Sequence, residues 1–205
     1  MTNSERPQVI TLWELYGCGM EQIATKVAEE LALTLHGQAF SSEQIEASMA
    51  EREREGAFGR FLRSLSPAAI PTSSAGDVVI EQARTVEDTA RQVTAEVNAF
   101  ADQGGVILGR NGAFLLHERP GALHVKLVGQ ADARVTRAAG IFGISEERSA
   151  RRQPLEDDFR RELSLQIFRF DPVGDDYYDL VIDSTRFTDD QVVALIVAAA
   201  RARAA

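Results

Sequence analysis

Cysteine is almost absent from the sequence, since Cys18 is the only one among 205 residues. A disulfide within the chain is therefore impossible, and a reducing compartment such as the cytoplasm is expected. The sequence also lacks any apolar run near the roughly 20 residues that a membrane-spanning helix needs. The N-terminal segment, 1–7, lacks the apolar core of a secretory signal. We therefore expect a cytoplasmic protein without a membrane partner.

Positive charge is also scarce, because the formal net charge is −9. A general nucleic-acid-binding surface needs an excess of lysine and arginine, so we expect no nucleic-acid partner. A local basic pocket for one small phosphorylated ligand is compatible with this charge. The histidines, at positions 36, 117 and 124, do not have the spacing of metal ligands, so we expect no metal held by the protein alone.

Short apolar segments alternate with amphipathic stretches along the chain. We predict strands at Val9–Trp13, Leu33–His36, Val106–Leu108, Leu123–Val128 and Leu180–Ile182. The clearest helical pattern lies between Ala83 and Phe100, with apolar residues three and four apart. Its apolar face suits either the core or a homodimer interface. This alternation predicts an α/β fold with a parallel sheet covered on both faces.

Four of the predicted strands are followed by glycine-rich or polar clusters. The clusters are residues 17–19, 109–111, 129–130 and 183–185. Open parallel sheets bind their ligands at the carboxyl ends of the strands. We therefore expect these four clusters to converge in space and to form a binding site.

The first cluster has the position of a phosphate-binding loop but not its full chemistry. Between a strand and a helix, where backbone N–H groups can hold a phosphate, the chain reads Tyr16-Gly17-Cys18-Gly19-Met20-Glu21-Gln22. A standard loop also needs a leading glycine, a lysine for the β/γ-phosphates and a hydroxyl for magnesium. Glu14 takes the position of that glycine and Met20 that of the lysine, and neither Glu21 nor Gln22 has a hydroxyl. A tight strand-to-helix turn without a ligand is the alternative. Cys18 either gains reactivity from the helix N-terminus or fills the turn.

Arginines form the second candidate feature. Arg110, followed by Asn111, comes directly after a buried strand and can bind a monophosphate through two parallel hydrogen bonds. A surface position without a ligand is the alternative for Arg110. Arg134 and Arg137 share one face of a predicted helix and can neutralise charge on a phosphoryl group. We interpret the later arginines as solvated partners of nearby acids, namely Arg148, Arg151, Arg152, Arg160, Arg161 and Arg169.

The order and spacing of these clusters resemble those of the cytidylate kinases and, more closely, the cytidylate kinase-like proteins. The resemblance extends from Val9 to about Ile196 and is strongest over 106–137 and 178–185. It implies a three-layer α/β/α P-loop fold with a parallel five-stranded sheet. It further implies a single domain over 1–205, with a helical acceptor-binding insert at about 41–80 and an arginine-containing lid at about 138–172.

The resemblance also implies ATP as phosphate donor, Mg²⁺ as cofactor, and CMP, dCMP or a related small molecule as acceptor. Residues 17–22 would bind the donor phosphates, and Arg110 with Asn111 would bind the acceptor. Arg134 and Arg137 would act in catalysis. Asp183 would help to hold magnesium, although an aspartate at a strand end can equally cap a turn.

The donor loop departs from the family pattern. The family has a lysine or, in the kinase-like branch, an arginine in this loop, whereas this chain has Met20 and Glu21. Asn111 stands where true cytidylate kinases have an acidic residue. Loss of one preorganised hydrogen-bond donor to the transition state typically raises the activation free energy by about 3 kcal/mol, which lowers the rate roughly a hundredfold. Two functions therefore remain open: a nucleoside monophosphate kinase, or a catalytically impaired pseudokinase that binds nucleotides as a regulatory or interaction module.

Overall fold

The computed structural model describes residues 7–46 and 75–204, with the side chains of 75–85 and 204 excepted. In this part of the chain one parallel sheet is formed by β1 (Val9–Glu14), β2 (Leu35–His36), β3 (Gly105–Leu108), β4 (Leu123–Val128) and β5 (Leu180–Asp183). The strand order is β2-β3-β1-β4-β5. The predicted α/β fold with a parallel five-stranded sheet is confirmed.

Helices lie in the connections between the strands. They are α1 (Met20–Leu31), α2 (Ala75–Gln103), α3 (Gly112–Leu115), α4 (Ala131–Phe142), α5 (Glu146–Phe168) and α6 (Asp189–Ala204). The pattern between Ala83 and Phe100 belongs to the longer helix α2. Residues 42–46 are also helical, and positions 47–74 of the expected insert lie outside the described residues. No helix of the described ranges combines the length and apolarity that a membrane crossing requires.

Strand β1 is buried along its whole length because helices cover both faces of the sheet. On one face, Ile10 and Leu12 pack in a core with residues of α1 and α6. On the other face, Val9 packs with Val97 and Ala101 of α2. The sheet is therefore the middle of three layers, and this part of the apolar face of α2 belongs to the core.

Two helices begin with reciprocal capping hydrogen bonds. Ser41 and Gln44 form a reciprocal capping box, in which the Ser41 N–H donates to Gln44 Oε1 at 2.8 Å and the Gln44 N–H donates to Ser41 Oγ at 3.3 Å. Thr188 and Gln191 form the same pair before α6. Helix α5 runs without a break through Pro154 and occupies most of the expected lid region, about 138–172.

Candidate functional site

The loop between β1 and α1, residues 15–19, is called the glycine loop here. Gly17 and Gly19 have positive φ angles of 85° and 79°. A Cβ on Gly17 would collide with the backbone carbonyl of Arg134, and a Cβ on Gly19 would collide with the Arg137 guanidinium. The glycines are therefore required both by the backbone conformation and by two arginines of α4 that lie against the loop.

Glu14 places a carboxylate inside this loop. Its Oε2 accepts a hydrogen bond of 3.0 Å from the N–H of Met20, the first residue of α1. That N–H has no partner within the helix, and it is one of the groups that would face a bound phosphate. Burial raises the pKa of Glu14, while the nearby Arg160 charge, the Met20 N–H and the Arg137 charge oppose the rise. The carboxylate thus stands where the standard pattern has a glycine without a side chain.

The positions after Gly19 provide no cation that could bind a phosphate. Met20 is almost fully buried in the core, and Glu21 and Gln22 are exposed. Cys18 is fully buried, and burial raises the pKa of its thiol to about 12. Of the two alternatives for Cys18, a side chain that fills the turn agrees with this burial, and a reactive thiol does not. Burial outweighs the helix N-terminus here because the thiolate would lose its hydration.

Arg134 lies at the glycine loop, where its Nη1 and Nε bind groups of the chain itself. Its Nη1 donates to the Tyr16 carbonyl at 2.9 Å and pairs with Asp157 of α5 at 2.9 Å. Its Nε donates to the Gly129 carbonyl at 3.1 Å. The side chain is buried. In this arrangement Arg134 fixes the loop against α4 and α5.

Arg137 lies across Gly19 and is also held by its own chain. Its Nη1 donates to the Ser184 carbonyl at 2.8 Å, and its Nη2 pairs with Asp189 at 2.5 Å. Ser184 in turn donates its hydroxyl to the Cys18 carbonyl at 2.8 Å. Three of the four predicted clusters therefore converge, because the glycine loop, Gly129 and residues 183–185 meet around these two arginines.

The fourth cluster, at the end of β3, borders a cavity of about 350 Å³ next to the glycine loop. Gly109, Arg110 and Asn111 line it, together with Glu14 and Met20, which flank the glycine loop. Arg110 and Asn111 have left-handed backbones, with φ angles of 53° and 55°. Such conformations are rare for residues other than glycine and cluster at functional sites.

Arg110 is oriented by three neighbours. Its Nη1 pairs with Glu96 of α2 at 2.5 Å, and its Nε donates to the Gly37 carbonyl at 3.2 Å. Its guanidinium lies 5.5 Å from the centre of the Phe100 ring. The side chain is 15% exposed, so it is held in place yet still open to the cavity that it lines.

The cavity walls are mainly apolar and aromatic. They come from β1, from the segment before the 42–46 helix, from α2 and from α5, and include Trp13, Phe40, Val93, Phe159, Ile167 and Phe168. Arg160 of α5 also lines the cavity. Its Nη2 pairs with buried Glu156 at 2.8 Å, while its Nη1 is buried and has no hydrogen-bond partner among the described residues.

Sequence reasoning missed two residues of this cavity, Arg160 and Glu96. Arg160 follows Glu156 by one helical turn and was interpreted as part of a solvated ion pair, which is wrong because the Glu156 side chain is only 1% exposed. The sequence carries no signal of this, since the buried face of α5 follows no clear apolar periodicity. Glu96 lies on α2 between apolar positions, and nothing in the sequence distinguishes it from a glutamate on the solvent-exposed face of a helix.

Asp183 caps a turn in this structure. Its Oδ1 accepts hydrogen bonds from the Thr185 N–H at 3.1 Å and from the Thr185 hydroxyl at 2.6 Å. Within residues 7–46 and 75–204 no cluster of three or more metal-binding side chains is found. The Mg²⁺-bound ATP implied by the resemblance does not fit this donor loop, because the Glu14 carboxyl group already accepts from the Met20 N–H and positions 20–22 carry neither a lysine nor a hydroxyl side chain.

Known proteins are similar to this chain in sequence or in fold. A protein named uronate isomerase from Corynebacterium glutamicum is 34% identical over 143 residues, which are 70% of this chain but only 27% of that protein. An uncharacterized protein from Eubacterium ventriosum has the same fold, with a TM-score of 0.63, 18% identity and coverage of 96% of this chain and 99% of its own. A gluconokinase from Sinorhizobium meliloti follows at a TM-score of 0.44 and 16% identity, over 97% and 91%.

A family model matches most of the chain. The model covers residues 9–186, which includes all five strands and both arginines of α4. The chain belongs to the cytidylate kinase-like family.

Proposed function

We propose that this protein binds a nucleoside monophosphate such as CMP in the cavity beside Arg110 and transfers phosphoryl groups poorly or not at all. It is then a nucleotide-binding module that retains the acceptor side of a kinase site and has lost the donor side. The observation that carries the proposal is the contrast between an open cavity lined by Arg110 and a glycine loop occupied by Glu14.

The cavity suits a flat ring attached to an anion. Its volume of about 350 Å³ lies in the range of small-molecule sites. The aromatic walls, which include Trp13 and Phe159, favour stacking or edge contacts with a base. The guanidinium of Arg110 provides the planar pair of donors that a phosphate prefers.

The donor side does not support efficient transfer. Catalysis of phosphoryl transfer depends on positioning and on neutralising the charge of the migrating group. The lysine position holds Met20, and the loop holds a buried carboxylate. Arg134 and Arg137 are engaged with Asp157 and Asp189. The missing lysine and the Met20 N–H that Glu14 takes are two hydrogen-bond donors lost to the phosphates. At about 3 kcal/mol for each such donor, the two losses lower the rate by roughly ten-thousandfold.

A uronate, a carboxylate-bearing sugar, is a second candidate ligand. The similarity to part of a protein named uronate isomerase favours it. A carboxylate would suit Arg110 as well as a phosphate does. The apolar walls favour a nucleotide, since the hydroxyl groups of a sugar would lose their hydrogen bonds to water against Phe159 and Ile167.

Calorimetric titration of the full chain with CMP and with D-glucuronate tests this proposal. Arg110→Ala is compared with Arg119→Ala, which also removes an arginine bound to one carboxylate, Asp102, and one backbone carbonyl, that of Ala101. We expect CMP binding that Arg110→Ala abolishes and Arg119→Ala preserves, with no ATP-dependent formation of CDP. Turnover at the rate of a kinase would overturn the impaired-enzyme part. Glucuronate binding without CMP binding would overturn the choice of ligand.

A further inference from the structure

We propose that Glu14 is the residue that excludes a phosphate donor from the glycine loop, because its carboxylate occupies the anion position that the loop and the start of α1 create. The inference rests on the proposed function and deepens it, since it names the residue responsible for the loss of the phosphate-donor side. It identifies the carboxylate as a specificity determinant rather than a passive replacement of a glycine.

The contact between Glu14 and Met20 is the first observation. The Met20 N–H donates to Glu14 Oε2 at 3.0 Å, and Glu14 is only 8% exposed. One N–H cannot direct its hydrogen bond at both this carboxylate and a phosphate. A phosphate in the loop would also lie beside the Glu14 carboxyl group, whose ionised form repels it strongly in a region of low dielectric constant.

The nearby cations are the second observation. Arg160 and Arg137 are the positive groups that favour the charged form of Glu14. Arg137 is further tied to Asp189 and to the Ser184 carbonyl while it lies against Gly19. The positive charge around the loop is thus already balanced by carboxylates of the chain, and little remains for a triphosphate.

Removal of the Glu14 carboxylate would reverse both effects. It would free the Met20 N–H and leave the charges of Arg137 and Arg160 without one of their acidic neighbours. A helix N-terminus with a free N–H and nearby guanidinium groups favours anions. The loop should then bind a polyphosphate even though Met20 provides no amine.

The experiment compares wild type with Glu14→Gln, which removes the charge and keeps the volume, and with Glu14→Gly, which removes both. Glu21→Gln is the control, since it removes an exposed carboxylate from the adjacent position. The probes are tripolyphosphate and ATP, each titrated by calorimetry, with the Gly19 and Met20 amide signals followed by NMR. We expect no saturable binding to wild type or Glu21→Gln. Binding to Glu14→Gly should be saturable and at least about tenfold tighter than any residual binding to wild type.

Two results would overturn the inference. One is saturable tripolyphosphate binding to wild type with shifts of the Met20 amide. The other is a Glu14→Gly protein that keeps its circular dichroism spectrum and shows no gain. If the glycine variant does not fold, Glu14→Ala and Glu14→Gln replace it, and no gain in any folded variant overturns the inference. A CMP titration of the same proteins keeps the two proposals separate, because loss of CMP binding alone contradicts only the proposed function.

Discussion

The guanidinium of Arg134 and the carboxylate of Asp157 together bind both backbone polar groups of Tyr16. Arg134 donates to the Tyr16 carbonyl at 2.9 Å, Asp157 accepts from the Tyr16 N–H at 2.7 Å, and the two side chains pair at 2.9 Å. Helices α4 and α5 are therefore linked through the backbone of the glycine loop. This arrangement explains the loop geometry without any bound phosphate.

Arg134→Ala should lower the free energy of unfolding by about 2–4 kcal/mol, because it leaves Asp157 without its cation and the Tyr16 carbonyl without its side-chain donor. Urea denaturation measures this change. Arg161→Ala is the matched control, since it removes an arginine paired with Asp171 at the surface, where pairs contribute little. Equal stability of the two variants would contradict a structural role for Arg134.

The two glycines Gly17 and Gly140 should respond oppositely to alanine. Gly17→Ala forces a left-handed alanine against the Arg134 carbonyl, so we expect a loss of about 2 kcal/mol or more. Gly140 lies inside α4 with open space around it, and alanine there should add about 0.5–1 kcal/mol. Thermal unfolding of both variants measures the difference. A neutral Gly17→Ala would mean that the glycine loop has another conformation in solution.

The fold followed from the sequence because its signals are local. Apolar strands and glycines at the strand ends each depend on a few adjacent residues. The structure has a strand within each predicted segment, although the second segment is a strand only at Leu35–His36. The resemblance to a family added the number of strands. The convergence of the clusters follows from parallel strands, whose carboxyl ends share one edge of the sheet.

The chemistry of the site was less predictable because it depends on distant partners. Arg134 was expected to act in catalysis, yet its carboxylate partner lies 23 residues away on another helix. The partner of Arg137, Asp189, is 52 residues away. No periodic pattern connects such positions. Glu14 was identified as a departure from the loop pattern, but only the coordinates show where its carboxylate lies.

Glu46→Gln should weaken the protein most at neutral pH. Hydrogen bonds from Arg152 and Arg148 lower the pKa of Glu46 to about 2. A carboxylate with a lowered pKa stabilises the fold above its unfolded pKa, and this contribution disappears as the pH falls toward the folded pKa. The stability gap between wild type and variant should therefore be constant at neutral pH and should close between about pH 4.5 and pH 2. Urea midpoints across that range measure it, with Glu29→Gln, on the exposed face of α1, as control. A gap that widens in acid would contradict the assigned ion pairs.

Glu96→Gln should strengthen CMP binding, because Glu96 competes with the phosphate for Arg110. The carboxylate pairs with the Arg110 guanidinium at 2.5 Å and is 40% exposed, so it lies close to the expected phosphate and is partly screened by solvent. Its loss removes both the competing partner and a like charge, and we expect affinity to rise by about threefold to tenfold. Calorimetric titration of the variant measures the rise. Glu87→Gln is the control, since it removes a surface carboxylate of the same helix that pairs with Arg91. Weaker CMP binding to Glu96→Gln would show that Glu96 itself contacts the ligand and would place the phosphate away from Arg110.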